Sequence, residues 1–246
     1  MNVRELGKSL ISVLPVGFRD PVTQLAYELV YRKRHIQGVF KSRQYRGRHG
    51  MALHLGCGPN IKSGWVNVDL NSAADLTLDA RERLPFADGV FSIIYSEHFY
   101  EHFRYPRDIR HLLSECYRVL EPGGIHSFAV PDGEMVLRHY TTREYADHAE
   151  AQLRCNPPWC RTQMDHVNYC LRQDGEHHWY YDEETMRLLL EEIGFIDVKR
   201  RDFDPTLDLE NRRVGSMYMQ CIKPKLVPRE AASKQDDLDA NYITAP

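Results

Sequence analysis

The alternation of apolar and polar positions divides the chain into unequal parts. Over residues 2–14 apolar residues recur at helical spacing. Pro15-Val16-Gly17 interrupts, and a second helical pattern opens at Asp20-Pro21 and runs to about Phe40, with Leu25, Leu29, Arg32 and Ile36 near one face. After the basic stretch 41–50 the pattern changes to short apolar runs bounded by turn residues. Five of these read as strands: 51–55, 65–69, 75–79, 91–95 and 125–130. Between the last two lies an amphipathic helix over 108–120, striped by Ile109, Leu112, Leu113, Cys116 and Leu120 and stopped by Glu121-Pro122-Gly123-Gly124. A second such helix over 182–193 ends at Gly194 and leads to two further strands, 195–200 and 216–222. Strands alternating with helices predict an α/β fold with a largely parallel sheet. Two segments stand outside the alternation. Residues 131–181, rich in His, Tyr, Arg, Cys and Pro, are too long for a plain crossover and read as a lid or substrate-side insertion. Residues 224–246 are polar and aperiodic and read as a flexible tail. The predicted organisation is a basic helical arm (1–50), a core domain (51–223) carrying the insertion, and the tail.

Composition narrows the classes. With 246 residues, 42% of them hydrophobic and 26 aromatic, the chain holds enough apolar surface for a core and too many large rings for a disordered protein. No run approaches the ~18 to 20 apolar residues of a membrane span, so none is expected. The net charge of -3 hides an asymmetry: residues 1–50 carry ten Lys/Arg against three Asp/Glu, and the remainder is acidic. Such an arm suits packing on the acidic body or peripheral contact with anionic lipid; the acidic body argues against nucleic acid. The six cysteines, Cys57, Cys116, Cys155, Cys160, Cys170 and Cys221, form no CxxC pair, and Cys155 and Cys160 match no common zinc spacing. Together with the charged Arg4, Glu5 and Lys8 at the start, this points to a reducing cytoplasm rather than export.

The candidate chemistry sits at strand ends. In an open parallel sheet ligands bind beyond the carboxyl ends of the strands, and Gly56-Cys57-Gly58-Pro59-Asn60 follows the first strand as a tight turn. Asp69 ends the second strand and can accept from a ribose diol; Asp79 follows the third. A dinucleotide reading needs a third glycine, where this chain has Ile61, and an acid about twenty residues on, where Asp69 comes only eleven after Gly58. The crevice suits a nucleoside without a pyrophosphate.

These residues carry a resemblance. HLGCGPN (54–60), VDL (68–70), LDA (78–80) with LPF (84–86), YSEHFYEH (95–102) and LSECYRVLEPGGIHSFAV (113–130) resemble, in order and spacing, class I S-adenosylmethionine-dependent methyltransferases of the type 11 group. The likeness implies a doubly wound, mostly parallel seven-stranded Rossmann-like sheet with helices on both faces. It also implies S-adenosyl-L-methionine as cofactor and a small-molecule acceptor. Gly56, Cys57, Gly58 and Asn60 would cradle its methionine end and ribose. Asp69 would take the ribose hydroxyls, Leu70 would pack on the adenine, and Asp79 and the Ala80 amide would meet the adenine edge. Ser96, Glu97 and His98 would border the reacting methyl, and Glu101-His102 matches the family's Glu-His pair.

The chain departs from the family at His54 and Ser92, where an acid is usual, and by a shortened first helix over 59–64. A sulfonium methyl needs an aligned acceptor and, for a hydroxyl, a base. Imidazole titrates in the right range, and the candidates are His98, His102, His177 and His178, with His166 further off. GEHHWYYD (175–182) sets two imidazoles beside three aromatic rings, a lining suited to a sugar-like acceptor. No spacing demands a metal, although Asp132 and Asp165 could join the histidines around a divalent cation. The expectation is methyl transfer to a hydroxyl of a sugar or glycan precursor. The alternatives are a nucleic-acid methyltransferase and a non-catalytic partner protein of the same fold.

Overall fold

The structure, a computed structural model, describes residues 13–142 and 157–225. All but the last two residues of the helical pattern over 2–14, Cys155 and nearly all of the tail lie outside the described residues. Helix α1 (Val16–Ser42) comes first. Seven strands follow: β1 (Met51–Leu55), β2 (Val66–Asp69), β3 (Leu76–Thr77), β4 (Phe91–Glu97), β5 (Leu120–Pro131), β6 (Ile196–Arg200) and β7 (Ser216–Ile222). Helix α2 (Arg107–Val119) joins β4 to β5. The expected insertion holds α3 (Gly133–Thr142) and α4 (Gln163–Arg172), and α5 (Glu183–Ile193) leads into β6.

The strands form one sheet in the order β3-β2-β1-β4-β5-β7-β6. Pairings among β1 to β5 are parallel, while β7 runs antiparallel to both β5 and β6, so the sheet is mixed at one side. Register sorts the side chains. Leu53, Leu55, Val66, Val68, Ile94 and Phe128 share one face and form the core with Ile109, Leu112, Cys116, Met186 and Leu190 from α2 and α5, all nearly inaccessible to solvent. Asp182 caps α5 through its side chain, accepting from Thr185 N at 2.8 Å, and Gly194 ends it at φ 111°.

His54, Asn67, Tyr95 and Ser127 alternate onto the opposite face. The crossover from β1 to β2 that should supply a helix here is a turn, with Asn60 N bonded to Cys57 O and Trp65 N to Lys62 O. The segment 201–215, with its helical turn Glu210–Arg212, covers this face instead. Arg201 places two guanidinium bonds of 2.6 Å on Asp208, Tyr95 donates to the same carboxylate at 2.9 Å, and Lys62 Nζ donates to Leu207 O at 2.5 Å.

Helix α1 docks at the β3 edge by its C-terminal half. Arg34 donates to Leu70 O at 2.6 Å, Thr77 Oγ1 donates to Arg34 O at 3.0 Å, and a side chain at Gly38 would overlap the Thr77 carbonyl. The buried positions are His35, Gly38 and Ser42, whereas Leu25, Leu29 and Ile36, the face picked out by periodicity, are solvent-exposed. Small residues and backbone bonds, which leave no apolar period, do the docking. The insertion closes on itself: Asp132 and Tyr181 form a bridge, and Gly133 N donates to Tyr181 O at 3.0 Å.

Candidate active site

Beyond the carboxyl ends of β1, β2 and β4 lies a cavity of about 780 Å³. Its floor is the turn after β1. Gly56 and Gly58 have φ of 64° and 50°, a backbone that side chains rarely adopt, and the Phe99 ring lies against the Gly56 Cα so closely that a Cβ would overlap it. Asp69 is held by the same turn: Oδ2 accepts from Gly58 N at 2.9 Å and Oδ1 from Asn71 N at 2.7 Å. Each oxygen keeps a second lone pair for a ligand. Cys57, Asn60, Leu70 and Ala80 also line the cavity.

Asp79 lies there too but is engaged. Its carboxylate receives Arg81 Nε at 3.0 Å and Arg81 NH2 at 2.7 Å, and Arg81 reaches on to Glu28 of α1. Burial alone would raise the Asp79 carboxyl; the Arg81 bonds outweigh it and hold the group below the usual range. Ser96 is not at the cavity. It is fully buried and shares the face of Ile94 and Phe128, on the other side of the sheet from Tyr95 and Glu97. At this strand end the residues that line the cavity are Glu97 and His98.

The two departures from the family have structural partners. His54 donates from Nδ1 to Asn67 Oδ1 at 3.2 Å, and burial, then the Lys62 charge, push its pKa down to about 4, so it is a neutral ring. Ser92 donates to the carbonyls of Gly50 and Met51, closing the start of the sheet.

Histidines gather at the mouth. His98, His102 and His178 line the cavity. His98 adopts φ 50°, its Nε2 lies 2.7 Å from Ser216 Oγ, and burial, then Arg212 and the neighbouring histidines, drive its pKa well below the ordinary value. The peptide of His178 hangs from the Glu101 carbonyl at 2.7 Å, and burial followed by Arg104 lowers its pKa. His177 stands behind His102, ring centroids 5.1 Å apart, with Nδ1 on Cys170 O; burial brings its pKa to about 4. Of the aromatic run, Tyr181 is core, while Trp179 is exposed and stacked on Tyr105 at 4.4 Å. The remaining cation candidates are elsewhere: Asp132 pairs with Arg200 and caps toward Met135 N, and Asp165 closes the capping box of α4.

Sequence reasoning missed Lys62, Phe99, Leu207, Leu209 and Arg212, which line the same cavity. Arg212 NH1 donates to Glu97 O at 2.9 Å, and Leu209 N donates to Glu97 Oε1 at 3.2 Å. No local motif marks Leu207, Leu209 and Arg212, which arrive from a segment more than a hundred positions after Glu97.

Residues 53–128 match the family described as a methyltransferase domain. The match supports a class I S-adenosylmethionine-dependent methyltransferase domain over this stretch of the chain. Its matched stretch runs from β1 into β5 and holds both glycines, Asp69, Asp79 and the Glu101-His102 pair. Among solved structures, the chain is similar to phosphoethanolamine N-methyltransferase 2 of Haemonchus contortus, solved with S-adenosyl-L-methionine. The identity is 14% over 82% of this chain, with a TM-score of 0.46, and the chain spans 56% of that enzyme's length. It is also similar to a methyltransferase of Haloferax volcanii in complex with the Trm112 activator (14% identity, 79% of this chain, 93% of that one, TM-score 0.47). A third is a methyltransferase of Archaeoglobus fulgidus (18%, 81%, 99%, TM-score 0.44). Comparison with curated proteins finds no match. No described helix is long and apolar enough to cross a membrane.

Proposed function

We propose that this methyltransferase methylates a hydroxyl of a small polar acceptor, a sugar or glycan precursor, in the cytoplasm. The observation that supports it is one cavity shared by a nucleoside-type cradle and a cluster of imidazoles. The cradle suits the cofactor: two left-handed glycines bring bare backbone to the ligand, and Asp69 is aimed by two amides with lone pairs to spare. Bound there, S-adenosylmethionine supplies a sulfonium-activated methyl group.

The chain's own tasks are then positioning and proton transfer. Asp69 accepts from a ribose diol and fixes the depth of the nucleoside. Leu70 and Ala80 offer apolar surface beside it. Phe99, seated on Gly56, holds the turn and keeps water from the methionine end. His178, on the solvent side of the mouth and neutral near pH 7, takes the proton of the acceptor hydroxyl at its free ring nitrogen. Trp179 on Tyr105 gives a flat apolar wall of the kind sugars lie against.

The test is methyl transfer from labelled S-adenosylmethionine to a panel of sugars, nucleotide sugars, amines and RNA. Turnover on hydroxyl acceptors is expected, and His178→Asn should lower it by about 100-fold or more while S-adenosylhomocysteine still binds. Transfer to amines or RNA alone would replace the acceptor reading, and cofactor binding without any transfer would make the protein a non-catalytic partner.

A further inference from the structure

The carboxylate of Glu101 is the least accommodated group in the described residues. Its side chain is 1% exposed, neither oxygen accepts a hydrogen bond, and the neighbouring basic atom is His98 Nδ1 at 3.8 Å. Buried carboxylates normally collect donors or a cation. Around this one stand two imidazoles whose outer nitrogens are occupied. His102 donates Nδ1–H to Glu176 O at 3.0 Å, and His177 donates Nδ1–H to Cys170 O at 3.0 Å. A carbonyl on Nδ1–H fixes the tautomer and leaves the Nε2 lone pair as the ligand atom, the arrangement that orients metal-binding histidines. One ligand atom from each of Glu101, His102 and His177 lies within 4.8 Å of the others.

We propose that Glu101, His102 and His177 bind a divalent first-row transition ion, zinc foremost, in the wall of the cofactor cavity. Two imidazole nitrogens and one carboxylate oxygen suit zinc or iron and disfavour magnesium and calcium, which prefer oxygen ligands. Three protein ligands would leave a coordination position open, and because His102 lines the cavity an ion held there would border it. An acceptor hydroxyl held there would lose its proton more readily, with His178 at the same mouth to receive it. That role rests on the methyltransferase reading; the binding of the ion does not. The sequence hides the set because His177 comes from the insertion, seventy-five positions after His102.

The test uses the full chain after chelator treatment, titrated with Zn²⁺ by calorimetry and with Co²⁺ by visible absorption. One equivalent is expected, with cobalt bands of a four- or five-coordinate site. Glu101→Gln and His177→Asn should each weaken binding by about 100-fold, and His111→Asn, on the exposed face of α2, should leave it unchanged. Substoichiometric binding, or a His177→Asn protein that binds zinc as tightly as the parent, would overturn the site. Thermal midpoints establish that each variant folds, and His177→Asn carries the test should Glu101→Gln fail to. S-adenosylhomocysteine titration of the metal-free protein separates the two readings: zinc without nucleoside binding leaves the ion site standing and removes the cofactor assignment.

Discussion

In the proposed function Asp69 has two tasks, holding the turn through Gly58 N and accepting from the ligand, and one substitution removes both. Asp69→Ala removes a charged acceptor and should weaken S-adenosylhomocysteine binding by about 1 to 3 kcal/mol by calorimetry. An unchanged affinity would take Asp69 out of the site. The turn and the acids were readable because each sits at a strand end that its own local pattern defines. Ser96 was not: the β4 register shifts at its start, between Phe91 and Ile93, and a change of one residue exchanges the faces of Ser96 and Glu97. The imidazoles were visible as residue types, but which of them lines the cavity depends on how residues 173–181 return to the sheet. His178 and Trp179 are fixed by a single carbonyl, that of Glu101.

Among the elements, those with a strong period matched their expected bounds within a residue or two. Helices α2 and α5 were set by their apolar stripes and by glycine or proline stops, and the strands β1, β2 and β7 by short apolar runs bounded by turn residues. Helix α1 was legible as a helix and not as a docked one, because its contact with β3 runs through Gly38. Gly38→Ala should drive α1 from the Thr77 carbonyl and lower the thermal midpoint by several degrees, about 1 to 3 kcal/mol of overpacking. Gly17→Ala, in open space on the same helix, should leave it within about a degree of the parent. Equal midpoints for the two variants would mean that α1 does not seat on the sheet in solution. The segment 201–215 replaces a helix with ion pairs, which no periodicity announces. The Arg201–Asp208 pair is almost wholly buried, with side-chain exposures of 10% and 0%. Arg201→Met leaves that carboxylate without its cation, a loss of about 3 to 5 kcal/mol. Urea unfolding should show it, and a loss below about 1 kcal/mol would mean that the carboxylate is reached by water.

At the scale of the whole molecule, burial of neutral histidines ties stability to pH. His54 and His126 are buried on opposite faces of the sheet, and burial brings their pKa values to about 4 and about 3. In the unfolded chain both titrate near the ordinary ~6.5. Below that value the unfolded state takes up protons that the folded state refuses, so stability falls as pH drops from about 6.5 toward the folded values. Between pH 7.5 and pH 5 the loss should be about 2 kcal/mol for each ring. Of the two, His126 is the cleaner probe, since its Nε2 is tied only to the Tyr100 hydroxyl at 2.6 Å and its ring lies among Phe128, Phe195 and Tyr100, far from the Lys62 charge that acts on His54. Replacing it by Gln keeps a hydrogen-bonding group and removes the titration. Urea unfolding of the parent and of His126→Gln at the two pH values isolates the effect as a difference of differences: the variant starts less stable but should lose about 2 kcal/mol less on acidification. An identical acid sensitivity in the two proteins would mean that His126 carries its proton into the fold, which would require an acceptor that the Tyr100 hydroxyl and the surrounding rings do not provide.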